Sequence, residues 1–262
     1  MINAIEGIGR GTINTLLSLR ATLLLAARIF VRLFDRQTYN SASRMVFINQ
    51  FYFTSVQILP LFLFVAAIFG SLVNGMAFQV IKNLGLADYL GRLLMGFVVT
   101  EIAPFITVLL IALRSSSAIN AEIAVMKVNR ELNTLETFNI SVIDYLFVPR
   151  VLAGMLSMVL LSGLFSMIML VIGLSVSSII FGMGVDDYIS ILLQSASLPD
   201  LIIVMIKCAT FGFFITLIPI SRGLNASQEE LTSIPVAVLN GMVRVFLAIV
   251  VIEVLSSILR FI

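Results

Sequence analysis

Three ionisable residues lie inside long apolar stretches of the chain, where a charge is costly unless it has a partner or a function. They are Glu101, Lys207 and Glu253. A charge within a membrane costs on the order of 3 kcal/mol or more unless it is paired or faces a polar cavity. Counted inward from the nearest end of each stretch at a rise of about 1.5 Å per residue, Glu101 is about 13 Å deep and the other two about 10 Å. The three residues therefore share one layer, nearer one face.

This layer allows three interpretations. Glu101, Lys207 and Glu253 could ring a polar chamber open to one face, with Arg244 deeper toward the other face. Alternatively, Glu101 and Lys207 form a structural ion pair between helices. A proton relay is the third interpretation and the least favoured, because relays use several carboxylates or His and the chain has no His. The sequence leaves the chamber and the structural pair both open.

The composition indicates which elements must position these charges. Of 262 residues, 60% are hydrophobic and 11% are charged, against about 25% charged in soluble domains. So few charges cannot cover a soluble protein of this size, so we expect an all-α integral membrane protein. Five stretches reach the roughly 20 residues that a spanning helix needs, and Pro60 and Pro104 predict kinks in the first two. The predicted spans are about 51–81, 93–113, 151–181, 201–220 and 236–258.

Missing residue types exclude whole chemistries. The absence of His and the single Cys208 exclude zinc sites built on His or paired Cys, His-based triads and disulfides. No stretch reads G-x-x-x-x-G-K-[ST], so the chain has no Walker A loop to hold ATP phosphates. We therefore expect a chain that is not an enzyme, holds no metal or cofactor and does not bind nucleic acid.

The distribution of basic residues predicts the orientation. One side of the predicted spans is basic, with Arg10, Arg20, Arg28, Arg32, Arg36 and Arg44 before the first span and Arg114, Lys127, Arg130, Arg150 and Arg222 in later connections. The other side has Lys82 and Arg92, and then a connection with Asp186, Asp187 and Asp200 and no basic residue. Because basic loops stay in the cytoplasm, we expect a cytoplasmic N-terminus and a C-terminus outside.

The stretch at about 12–34 is apolar but carries Arg20, Arg28, Arg32 and Arg36 within about half of a helical wheel. That pattern is typical of an amphipathic helix in the cytoplasmic interface, with its basic side chains toward anionic headgroups. The competing interpretation is a sixth span, which would place Arg28 and Arg32 in hydrocarbon.

The largest hydrophilic segment, Arg114–Pro149, begins with small residues that allow close helix approach. Apolar residues then recur at helical spacing among charges at Ile123, Met126, Leu132 and Leu135. We predict a short amphipathic helix outside the membrane, within about 115–138, that docks on a partner. An ordinary solvated loop is the alternative.

The Gly182-Met183-Gly184 segment predicts a turn. The whole chain, 1–262, is taken as one domain.

Two motifs in the chain resemble those of a known protein family. The first is Thr100-Glu101-Ile102-Ala103-Pro104, and the second runs from Arg114-Ser115-Ser116-Ser117-Ala118 through Ala121-Glu122-Ile123-Ala124-Val125-Met126-Lys127. The combination E-x-x-P with R-x-x-S-A-x-x-A-E-I-x-x-M resembles the MlaE (YrbE) permease family and fixes many positions over some 26 residues. Asp200, Lys207 and Glu253 look similar too. The resemblance covers essentially the whole chain and is weakest after Ser221.

The resemblance implies a function. MlaE-like proteins are permease subunits of ABC transporters in the bacterial inner membrane, and they move glycerophospholipids to maintain outer-membrane lipid asymmetry. The implied assembly is a homodimer with an outward-facing lipid funnel, two copies of a separate ATPase that uses ATP and Mg, a possible STAS-domain protein and a hexameric ring of MCE-domain proteins above. ATP hydrolysis would belong to the ATPase partner.

Carried onto this chain, the resemblance implies two groups of site residues. Val73, Val80 and Leu84 match lipid-lining positions, beside Glu101 and Lys207. The residues expected to meet the ATPase are Arg114, Ser117, Ala118, Ala121, Glu122, Met126 and Lys127. The chain departs from the family pattern where a basic residue usually precedes the Glu, here Thr100, and early in the last span, here Asn240 with Arg244 one turn later. Two other functions stay open: a secondary transporter or channel without an ATPase, and a scaffold for a periplasmic ring.

Overall fold

A computed structural model describes residues 20–86, 89–225 and 233–261 of the chain. Within these ranges there is no β-strand, and eight helices of seven or more residues follow one another, with a short 3₁₀ helix at Arg36–Thr38 between the first two. Their bounds are 20–33 (α1), Ser41–Leu84 (α2), Leu90–Val128 (α3), Glu131–Thr137 (α4), Ile143–Phe181 (α5), Val185–Ser195 (α6), Leu198–Gly223 (α7) and Ser233–Phe261 (α8). Five of them, α2, α3, α5, α7 and α8, are long and apolar enough to cross a membrane. The prediction of five spans is therefore confirmed.

Three of the long helices contain a widened π-helical segment just before a proline. Because proline has no N–H, the carbonyl four residues earlier loses its helical partner, and in each case that carbonyl belongs to a π segment. The pairs are Tyr52–Val56 with Pro60, Leu94–Ile102 with Pro104, and Ile143–Phe147 with Pro149. Pro60 and Pro104 thus mark irregularities of the helix, as expected.

The helix that contains the second span is longer than predicted. We expected it to end at Leu113 and a separate helix to follow, but α3 continues through a π segment at Ala112–Ser116 to Val128 without a break. Arg130, with a left-handed φ of 61°, then turns the chain into α4. The alternative of a solvated loop is wrong here, because small residues at the start of this segment continue a helix as well as they begin one.

Two apolar clusters hold the helices together. The larger one lies between the spans and includes Phe62 of α2 and Phe165 of α5, whose rings meet edge to face with centroids 5.3 Å apart. The smaller one lies at the end of the spans that carries Arg114, Lys127, Arg130 and Arg150, called the basic end below. It joins residues of α1, α3, α5 and α7, among them Ile29, Ile123, Phe147 and Leu217.

Helix α1 packs on this second cluster. Ile29 is fully buried there, and the hydroxyl oxygens of Thr22 and Ser221 lie 2.7 Å apart, which joins α1 to α7. Arg20, Arg28 and Arg32 are exposed. This arrangement suits the predicted interfacial helix, which stays a prediction; its first part, residues 12–19, lies outside the described residues.

The opposite end of the spans carries the short helix α6. Gly182, at a left-handed φ of 66°, ends α5 as the Gly182–Gly184 turn predicted. The Tyr188 hydroxyl of α6 then donates a hydrogen bond of 3.0 Å to the Leu170 carbonyl of α5. Burial raises the pKa of Tyr188 to about 12, so the phenol remains a neutral donor. Tyr188 therefore fixes α6 on the third span.

Candidate functional site

Three spans meet at the ammonium group of Lys207. Its Nζ lies 2.6 Å from Glu101 Oε2 of α3 and 3.0 Å from Glu253 Oε1 of α8. It also donates a hydrogen bond of 3.2 Å to the Thr100 carbonyl. The Lys207 side chain is 2% exposed, so it is a buried cation with two carboxylate partners. The shared layer that the sequence predicted is thus a set of direct contacts.

Arg260 completes this cluster, and sequence reasoning missed it. Its Nη1 lies 3.1 Å from Glu101 Oε1 and also donates to the Thr100 hydroxyl and the Gly96 carbonyl. The signal was present, because Arg260 follows Glu253 by seven residues and so lies on the same face of α8 two turns later. The end of the fifth span thus supplies a second cation beside Glu101 and Thr100.

The cluster is not sealed inside the bundle. The side chains of Glu101, Glu253 and Arg260 are 20%, 19% and 23% exposed, whereas the Lys207 side chain is almost fully buried. Glu253 Oε2 has no hydrogen-bond partner among the described residues. The cluster therefore joins three helices through direct ion pairs, as the structural-pair interpretation expects, and a polar chamber ringed by these residues stays a prediction.

An apolar groove runs from this cluster between α7 and α8. It encloses about 570 Å³ and is lined by apolar side chains such as Ile206, Phe214 and Leu255, with Lys207 and Arg260 at its polar part. A second cavity of about 420 Å³ shares Phe214, Ala248 and Val251 with the first and continues to Arg222 and Arg244. Together the two cavities form an apolar strip with cationic residues toward both ends. Arg244 lies toward the far end, as its depth predicted.

The remaining predicted lipid-lining residues lie elsewhere. Val80 and Leu84 are exposed on α2, at 56% and 64% of their surface, and Val73 is partly buried against the large cluster. None of the three lines the groove between α7 and α8. The single chain therefore brings Glu101 and Lys207 together and leaves these three residues on the face of the first span.

The residues predicted to meet an ATPase lie along the basic end of α3. Arg150 Nη2, at the start of α5, lies 2.6 Å from Glu122 Oε1, and the Arg114 guanidinium lies 5.2 Å from the centre of the Phe53 ring. The other members are partly buried, with Met126 packed against the second cluster and the Ser117 hydroxyl bonded within its own helix. These other members are Ser117, Ala118, Ala121, Met126 and Lys127.

Asn120, which sequence reasoning did not single out, locks this segment onto two spans. It is fully buried, and its Nδ2 donates a hydrogen bond of 3.1 Å to the Ala237 carbonyl of α8. A Cβ at Gly241 would overlap Asn120 Nδ2, and one at Gly223 of α7 would lie 2.7 Å from Ile123 Cβ. The basic end of α3 therefore packs directly against the backbone of Gly223 and Gly241, where a larger residue would leave no room for Asn120 and Ile123.

Among the described residues, no group of three His, Cys, Asp or Glu side chains could hold a metal ion. Cys208 is a free, buried thiol in the large cluster.

Comparison with known proteins places this arrangement in a family. The Arabidopsis thaliana protein TRIGALACTOSYLDIACYLGLYCEROL 1, chloroplastic, is 29% identical over 66% of this chain and 52% of its own length. The intermembrane phospholipid transport system permease protein MlaE of Haemophilus influenzae is 26% identical over 62% of the chain and 60% of its own length. A probable ABC transporter permease protein of Rickettsia bellii is 22% identical over 85% of both chains. The chain thus spans about half the length of several curated relatives it matches.

The family model described as Permease MlaE matches residues 47–259, which include the charge cluster up to Glu253, the groove and the basic end of α3. Since the match covers most of the chain, the chain belongs to the MlaE permease family.

Proposed function

We propose that this chain is the membrane permease subunit of an ABC transporter that moves glycerophospholipids between the bacterial inner membrane and a periplasmic MCE protein, and so maintains outer-membrane lipid asymmetry. The observation that carries the proposal is the partly exposed charge cluster of Glu101, Lys207, Glu253 and Arg260 beside an apolar groove. A phospholipid has the matching division into an ionic headgroup and acyl chains.

In this proposal, binding is mostly apolar. Acyl chains would lie against apolar side chains of the spans, including Val73, Val80 and Leu84, and would gain roughly 25 cal/mol for each Å² of apolar surface removed from water. Glu101 and Lys207 would orient the headgroup. Because Lys207 already has two carboxylate partners, it would act within the cluster rather than as an isolated cation.

The proposed assembly has two copies of this chain, two ATPase subunits and an MCE hexamer, with a STAS-domain protein as an optional further subunit. Apolar side chains along the surface of α8, such as Leu239, Val243, Leu247 and Val254, are more than half exposed in the single chain, which supports a second copy or lipid beside them. The basic end, with the N-terminus, would face the cytoplasm, and the C-terminus would face the periplasm.

The ATPase would bind the basic end of α3, where Glu122, Val125 and Arg130 are exposed. Movement there would reach the fifth span through Asn120, which is bonded to Ala237. The ATPase would supply the ATP and Mg chemistry, and this chain would convert the resulting movement into opening or closing of the lipid site.

Reconstitution into liposomes tests this function. The expected result is transfer of a labelled phospholipid only when the ATPase partner and Mg-ATP are both present, and loss of transfer in the folded Glu101→Gln variant. Transfer by this chain alone would instead indicate a secondary transporter or channel. A ring-holding scaffold would keep its function with Glu101 and Lys207 replaced.

A further inference from the structure

Arg150 is a buried cation whose hydrogen-bonding capacity is not used up. The residue is 5% exposed, and its one ion pair is the 2.6 Å contact of Nη2 with Glu122 Oε1. Its Nε and Nη1 have no hydrogen-bond partner among the described residues. A buried guanidinium with two unused donors is costly, so its surroundings should hold an anion.

Arg150 lines a cavity at the basic end that is separate from the groove between α7 and α8. This cavity encloses about 360 Å³ between the first turns of α2 and α5 and the final part of α3. Asn49, Gln50 and Glu122 contribute polar groups to its lining, whereas Val46 and Phe53 are apolar. Its volume lies in the range of small-ligand sites, roughly 300–1,000 Å³.

A second cation contacts a residue of the cavity lining without lining the cavity itself. Arg114 stacks over the Phe53 ring at 5.2 Å, and Phe53 is part of the lining. Arg114 and Arg150 thus give two positive charges against the one carboxylate of Glu122. The Glu122 side chain is 55% exposed, so it can turn outward and leave the guanidinium of Arg150 to another anion.

The depth of the cavity decides which anion is expected. It lies where the apolar parts of the first and third spans begin, near residues 51 and 151, which is the level of lipid headgroups. The surface proposed for the ATPase continues past it along the chain, at Val125 and Arg130. A guanidinium binds the oxygens of a phosphate through two parallel hydrogen bonds. The apolar side chains of Val46 and Phe53 suit the first carbons of acyl chains.

We propose that this cavity binds the phosphate of a membrane phospholipid, with Arg150 as the principal ligand, Arg114 as the second cation and Glu122 as a competing carboxylate that yields its place. The site stands apart from the charge cluster and requires neither the ATPase nor transport.

Tryptophan fluorescence can report on this cavity alone, because the chain contains no Trp. In the full chain carrying Phe53→Trp, the indole keeps the stacking with Arg114. The protein would be purified in an uncharged, phosphate-free detergent. It would be titrated with dihexanoylphosphatidylglycerol, with inorganic phosphate and with dihexanoylglycerol, which lacks the phosphate.

The expected result is a saturable change with the phospholipid only. Arg150→Gln should weaken this binding about tenfold or more, since a hydrogen bond to a charged group is lost. Glu122→Gln should tighten it, since the competing carboxylate is gone. A purely structural ion pair predicts that both changes weaken binding by disturbing the fold, so the opposite signs separate ligand binding from damage.

Several results would overturn the proposal. Equal binding of inorganic phosphate would show a free-anion site, and a response to dihexanoylglycerol would show binding through the chains alone. A change seen only on addition of the ATPase would show an acidic side chain of a partner protein. Gly75→Ala, in the same Phe53→Trp background, has open space around its Cβ position and should leave the response unchanged. The fluorescence reports on this cavity and lipid transfer reports on the charge cluster, so failure at one site and failure at the other are distinguishable.

Discussion

The ammonium of Lys207 lies 2.6 Å from the carboxylate of Glu101, and Glu253 occupies its other side at 3.0 Å. These residues belong to α7, α3 and α8, so one buried cation joins the second, fourth and fifth spans. Arg260 then adds a second cation to Glu101. Glu101 therefore has two cationic partners, whereas Glu253 has one.

Replacing Lys207 by Met should be strongly destabilising. The change leaves Glu253 without a cation and weakens the hold on Glu101, and breaking a buried pair from one side costs about 3–5 kcal/mol. Thermal unfolding of the purified protein in detergent measures the effect. Glu253→Gln serves as the matched control, because it removes one charge and keeps an amide acceptor for Lys207, so its loss of stability should be smaller. Equal losses of stability in the two variants would contradict the conclusion that Lys207 holds both carboxylates.

Exchanging the charges of Glu101 and Lys207 should not restore the fold. The double variant Glu101→Lys with Lys207→Glu would place a lysine beside Arg260 and a glutamate beside Glu253, so it creates two like-charge contacts. Adding Glu253→Lys and Arg260→Glu restores the alternation of charge, and this fourfold variant should unfold at a higher temperature than the double variant. Full recovery by the double variant alone would mean that the cluster is a simple pair.

Gly212→Ala should separate the third and fourth spans. A Cβ at Gly212 would lie 2.5 Å from Met155 Cα, which is backbone and cannot turn away. We expect a loss of about 1–3 kcal/mol. Gly163→Ala is the matched control, since nothing lies within 4 Å of its Cβ position, and alanine in a helix should be neutral or stabilising by up to about 1 kcal/mol. The melting temperatures of the two variants test this prediction. Equal changes in both would contradict the close approach of Gly212 to Met155.

Gly241→Ala should uncouple ATP hydrolysis from lipid transfer, if the proposed assembly is correct. The new methyl would displace Asn120 and its hydrogen bond to Ala237, and with it the contact between α3 and α8. In proteoliposomes that contain the ATPase, the amount of lipid moved per ATP should fall severalfold while the protein remains folded. Gly75→Ala, with open space around its Cβ position, should leave this ratio unchanged. An equal fall in the Gly75→Ala variant would show that the contact between α3 and α8 is not what couples ATP hydrolysis to lipid transfer.

The attachment of α6 should depend on pH above the ordinary range of tyrosine. Burial raises the pKa of Tyr188 from 10.0 to about 12, so the folded state prefers the neutral phenol. The stability it contributes is complete below pH 10 and is lost as the pH rises toward 12. Burial also raises the pKa of Tyr39, so an alkaline titration of phenolate absorbance should show two of the five tyrosines ionising late, and Tyr188→Phe should remove one of these two steps. An unchanged titration in the variant would contradict the assignment.

Apolar length and the distribution of Arg and Lys were sufficient to predict five spans and the depth of Glu101, Lys207 and Glu253. Depth is local, since it needs only the distance along one helix. The continuation of α3 to Val128 was not predicted, because the polar residues after Leu113 signal the end of the membrane and not the end of the helix. Such a helix is stabilised beyond the bilayer by packing on the second apolar cluster.

Which partners meet across helices could not be read from single segments. Arg260 stands at the end of the last apolar stretch, where a basic residue marks the membrane boundary, yet its guanidinium reaches back to Gly96 and Glu101. Asn120 was equally inconspicuous, because its importance comes from Gly241 on a helix more than a hundred residues away. The groove between α7 and α8 likewise depends on how two helices pack and not on either sequence alone.

The charge cluster has an electrical consequence. With all four side chains ionised, the two cations and two carboxylates cancel. Moving a single elementary charge across a membrane potential of 100 mV involves about 2.3 kcal/mol, but a neutral group that shifts as a unit does almost no electrical work. While its four side chains are ionised, movement of this cluster should therefore add no dependence on the membrane potential to a conformational cycle.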